Sequence, residues 1–131
     1  MRRVATVLVL AVASLTAGAA CAAPRQTLGT RSSACFRSLP TANAAVHQEG
    51  RLVGVRRISR THLLRVFPQA ALPPDKEFCA VAFSDDFHQG QVDKAAGAPQ
   101  GKDAIVVVDL RGTSVIQTFL VDRMPFHLQH R

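Results

Sequence analysis

The chain has 131 residues, a formal net charge of +7 and a hydrophobic fraction of 47%. That length holds one domain and excludes a multidomain enzyme, and so apolar a composition excludes intrinsic disorder. Three cysteines are present, with no tryptophan and no tyrosine.

Chain order begins with a segment to set apart from the fold. Met1-Arg2-Arg3 is positively charged, Val4 to Ala20 carries no charge, and the run closes on Ala17-Gly18-Ala19-Ala20 before Cys21. This is the layout of a secretory signal peptide. The uncharged run has 17 residues, short of the roughly 20 that span a bilayer. Ala19-Ala20-Cys21 resembles the lipobox of bacterial lipoprotein precursors, with Gly18 where that pattern most often has Leu. The resemblance is confined to the signal. It implies removal of residues 1–20, lipidation of Cys21 and tethering to the outer face of the cell membrane. Cleavage after Ala19, Ala22 or Ala23 by ordinary signal peptidase, with secretion, is the alternative. Residues 21–33, with Pro24, Gly29 and little apolar periodicity, read as a flexible tether, and 34–131 as a single domain.

Ala34 to Gln48 places Phe36, Leu39, Ala42, Ala45 and Val46 at spacings of three and four, the period of an amphipathic helix. An interior proline breaks a helix, so Pro40 is placed in a first turn with Cys35 and Phe36 on the lead-in, a kinked longer helix being the alternative. Arg51 to Ser59 reads as a strand and Thr61 to Phe67 as a short helix, capped by Ser59 or Thr61 and stopped by Pro68. Phe78 to Phe83 is a second strand with Cys79, Val81 and Phe83 on one face. Ala104 to Leu110 and Val115 to Val121 are the strongest strands, joined by a hairpin turn at Arg111 to Ser114. Ile105-Val106-Val107-Val108 is apolar on both faces and belongs at the centre of a sheet. The order predicts an α+β domain: a small, mostly antiparallel four-stranded sheet with one or two helices packed on one face.

Cys35 and Cys79 are expected to form one disulfide. Lipidation of Cys21, or cleavage beyond it, leaves these two as a natural pair in an oxidising compartment. No C-x-x-C spacing marks a redox pair.

The densest charge feature is Arg51, Arg56, Arg57, Arg60 and Arg65, with His62 among them and no acid between Arg51 and Arg65. Forked guanidinium groups suit phosphate, sulfate or carboxylate partners. On an exported chain these are an anionic membrane or wall surface, or an acidic protein face. The plainer alternative is a solvated face offset by Asp85, Asp86 and Asp93. Nucleic acid is not expected, since no Trp or Tyr is available for stacking and no binding motif is matched.

Ser84 to Lys102 reads as a long surface loop carrying Asp85, Asp86, His88 and Asp93, without the spacing of a calcium site. His127 and His130 stand in an H-x-x-H near the end, with too little chain after them for a stable helix. There is no G-x-S-x-G, no paired glutamates and no phosphate loop, so neither a catalytic residue nor a cofactor or metal is expected. The expectation is a non-catalytic, exported cell-envelope domain, membrane-bound through a lipid anchor or else secreted. It contacts an envelope partner or anionic surface through its arginines. The second reading is a small secreted regulator or enzyme inhibitor acting through 84–102.

Overall fold

A single 3-10 turn, Ala34–Ser38, leads directly into helix α1, Leu39–Ala45. Pro40 stands in the first turn of α1, where its missing N–H removes no helical hydrogen bond. The helix stops short of Gln48 because His47 and Gln48 adopt φ of 53° and 60°. The structure, a computed structural model, describes residues 34–111 and 114–125. The signal at 1–20, Cys21, the tether at 21–33, Gly112 and Thr113 of the hairpin turn, and His127 and His130 lie outside them.

Strand β1 is Arg51–Ser59 and helix α2 is Arg60–Val66. The Ser59 hydroxyl caps α2 by accepting the His62 N–H at 3.1 Å. Four strands follow: β2 (Glu77–His88), β3 (Ala95–Gly97), β4 (Gln100–Asp109) and β5 (Val115–Val121). They lie in the order β1-β2-β4-β5-β3. β1, β2, β4 and β5 pair antiparallel, whereas β3 runs parallel to β5.

The sheet is therefore five-stranded and mixed, not four-stranded. The extra strand is three residues of Ala and Gly, too short to carry a periodic signal. It is held by its surroundings. The Thr118 N–H donates to the Lys94 carbonyl at 3.0 Å, and Lys94 Nζ donates to the Val115 carbonyl at 2.8 Å. The long loop expected over 84–102 is corrected by the same region: β2 runs on to His88 and β4 starts at Gln100. Between them lie a 3-10 turn, Gln89–Gln91, and β3. Two side chains in this stretch, Phe87 and Val92, are buried in the core. A bulge between Ser84 and Phe87 leaves Asp85 and Asp86 exposed without breaking β2.

The helices do not share one face, as expected from the sequence, but cover opposite ones. β2 and β4 are apolar on both faces, so each face needs its own cover. Cys79, Val81, Phe83, Ala104, Val106 and Val108 form one core with Ala42, Ala45 and Val46 at the end of α1. Phe78, Ala80, Ala82, Ile105 and Val107 form the other, beneath Leu63 of α2. The chain after α2 extends that cover: the Phe67 ring stacks on Phe119 with centroids 4.1 Å apart. β4 is the middle strand, and every residue from Ala104 to Val108 is fully buried.

The Cys35–Cys79 disulfide joins the lead-in turn to β2, with Cα atoms 5.4 Å apart. On that face Thr118 is fully buried and its hydroxyl has no hydrogen-bond partner. Thr118→Val removes the orphaned oxygen and is expected to stabilise the fold by about 1 kcal/mol. A thermal melt checks this, and a fall in midpoint contradicts it.

Candidate functional site

β1 is an outer strand of the sheet, with β2 on one side and no strand paired on the other among the described residues. A bulge between Leu52 and Gly54 sets its phase. The strand then presents two different surfaces. Leu52 and Val55 stand opposite Phe83 and Val81 on the α1 face, and Arg57 follows on that face beside Cys79. Arg51 and Arg56 stand opposite Ser84 and Ala80 on the α2 face, in line with Ile58.

The five arginines thus divide instead of converging. Arg57 is ion-paired with Glu77 of β2, and its Nε is buried without a hydrogen-bond partner. Arg60 Nε donates to the Pro73 carbonyl at 3.3 Å and holds the chain after α2. Arg51, Arg56 and Arg65 have no hydrogen-bond or ion-pair partner among the described residues. Arg51 and Arg65 are exposed and Arg56 half-buried.

Next to the arginine-bearing edge lies an apolar groove of about 470 Å³, lined by Leu39, Pro40, Asn43, Gly50, Leu52 and Phe83. Leu52 remains 45% exposed at its rim, which is unusual for a strand leucine paired with a buried phenylalanine. Gly50 lets the walls approach: it has φ of 83°, and a Cβ there would lie 2.7 Å from the Phe87 ring. The groove escaped the sequence reading because α1, β1 and β2 each contribute part of it. The available signal was Leu52, which is separated from Val55 by a bulge and not by the regular alternation.

Elsewhere the polar side chains serve the fold. A groove of about 420 Å³ is lined by Asp75, Lys76, Glu77, Asp109, Leu110 and Arg111. Glu77 is held by Arg57, and Asp109 accepts the Ser114 N–H at 3.1 Å across the β4–β5 turn. The acids of 84–102 are dispersed. Asp85 accepts the Asp86 N–H at 2.8 Å, and Asp93 lies 3.2 Å from His47 Nε2. Among the described residues no three His, Cys, Asp or Glu side chains group as a metal would need, and no helix is long and apolar enough to cross a membrane.

No family model, curated protein or solved structure matches the chain.

Proposed function

We propose that the chain is a non-catalytic, exported cell-envelope domain that docks an anionic partner on the β1–α2 surface. The observation that carries this is the set of uncommitted guanidinium groups, Arg51, Arg56 and Arg65, on an open sheet edge and its adjoining helix. Uncompensated arginines present forked donors to carboxylate or phosphate oxygens, whereas Arg57 and Arg60 are occupied within the fold. The export half of the reading is supported by residues 1–23 and by the buried Cys35–Cys79 bond, a feature of oxidising compartments. Cys21 is the proposed lipid site. Globomycin-sensitive processing with palmitate incorporation is the expected result, and unlabelled, globomycin-insensitive cleavage contradicts it.

The docking surface is tested with labelled poly-glutamate and with phosphatidylglycerol vesicles. The triple variant Arg51→Glu, Arg56→Glu, Arg65→Glu is expected to weaken binding to at least one of them by tenfold or more, about 1.4 kcal/mol. The residual binding is expected to lose its salt dependence. Affinity unchanged by the triple variant overturns the reading. No specific observation favours the regulator or inhibitor alternative, since most of 84–102 lies within the sheet and its 3-10 turn.

A further inference from the structure

Resting on the reading of β1 as the contact surface, we propose that its partner is an extended peptide that adds a strand to the sheet and alternates acidic with apolar side chains. Three observations converge on this occupant. The first is the open edge itself. Added strands gain sequence-independent affinity from main-chain hydrogen bonds, and β1 supplies nine residues of regular backbone interrupted by one bulge. The second is the groove. A peptide residue opposite Leu52 projects to the α1 face beside the exposed Leu52, which rims the apolar groove of Leu39, Pro40 and Phe83. The third is charge. Peptide residues opposite Arg51 and Arg56 project to the other face, where two arginines lack partners among the described residues and a carboxylate fits.

The period of two is what selects a strand over a general polyanion. Toward the α1 face β1 presents the exposed Leu52, with Arg57 neutralised by Glu77, and toward the α2 face it presents Arg51 and Arg56, so a bound chain alternates to satisfy both. A second copy of this chain is the poorer occupant, because β1 holds three arginines and no acid, so a second β1 strand brings no carboxylate to Arg51 or Arg56. A lipid surface satisfies the arginines but leaves the groove unexplained.

The test uses the full chain and a fluorescein-labelled nonapeptide of alternating Asp and Val. Controls are a block peptide of the same composition and a Lys–Val alternating peptide. The alternating acidic peptide is expected to bind more than about tenfold tighter than either control. Leu52→Asp is expected to weaken it by about tenfold, as is the pair Arg51→Glu, Arg56→Glu. Arg51→Glu alone changes one exposed side chain and gives a second, milder variant, with thermal melting to confirm folding. Amide exchange along β1 is expected to slow on binding, with α2 unchanged.

Equal binding of the block peptide overturns this proposal yet leaves the anionic docking surface standing. Failure of poly-glutamate, vesicles and both acidic peptides alike overturns both readings. Slowed exchange along β1 at high protein concentration without peptide assigns the edge to a second copy and overturns the proposal.

Discussion

Replacing Cys35 and Cys79 together by alanine is expected to destabilise the domain by about 4 kcal/mol. The bond closes a loop of 44 positions, so its loss returns a large volume of conformational space to the unfolded chain. Both cysteines are fully buried, so the folded state also loses packing where the lead-in turn meets β2. For a domain of about 100 residues, the melting midpoint falls by roughly 15–30 °C. The experiment compares thermal and denaturant unfolding of the oxidised protein and the double variant. A loss below about 1 kcal/mol contradicts the account. Expression without export is expected to show the same weakness, since the reducing interior keeps the pair open.

Phe87→Ala is expected to cost about 3–5 kcal/mol, although its neighbours Asp85, Asp86 and His88 are all exposed. Phe87 is 1% exposed and packs beyond the β2 bulge against the Gly50 backbone. Removing the ring opens a cavity between β2 and the turn that leads into β1. The rigid β2–β4 pairing on one side, Phe87 with Gly101, gives that cavity little room to collapse. A surface-loop phenylalanine, by contrast, would change stability by no more than about 0.5 kcal/mol. Urea unfolding separates the two outcomes, provided the slope is unchanged so that the shift in midpoint reports stability alone. Gly50→Ala is expected to act in the same direction. It forces a side chain onto a left-handed backbone and into the same ring.

These two effects concern the frame that holds the docking surface. The disulfide fixes the chain entering α1, and α1 supplies Leu39 and Pro40 to one wall of the groove. Phe87 supports Gly50, which belongs to the same lining. Loss of either support is therefore expected to reduce binding at β1 as well as stability, whereas the arginine variants reduce binding alone. That contrast distinguishes a surface effect from a folding defect.

Local chemistry was sufficient for most of the elements. Pro40 favoured the first turn of a helix, Ser59 was one of two candidate caps beside Thr61, and the runs Arg51–Ser59 and Val115–Val121 carried their strand character in their own residues. The same held for the central place of Ile105 to Val108, because a strand apolar on both faces has no stable position at an edge. The cysteine pair was legible too, as the two cysteines that remain once residues 1–23 are set aside.

The tertiary arrangement decided three other things. β3 exists because Lys94 and Thr118 bring Ala95–Gly97 alongside β5, a long-range pairing with no local signature. The two helices separated onto opposite faces because β2 and β4 expose apolar side chains both ways, and neither sheet face could be left to water. The arginine cluster, continuous in sequence, split at β1 because successive strand residues point in opposite directions. Arg57 turned to Glu77, while Arg51 and Arg56 were left on the other face. Proximity along the chain collected the charges; the pleat and the sheet edge determined which of them remain available to a partner.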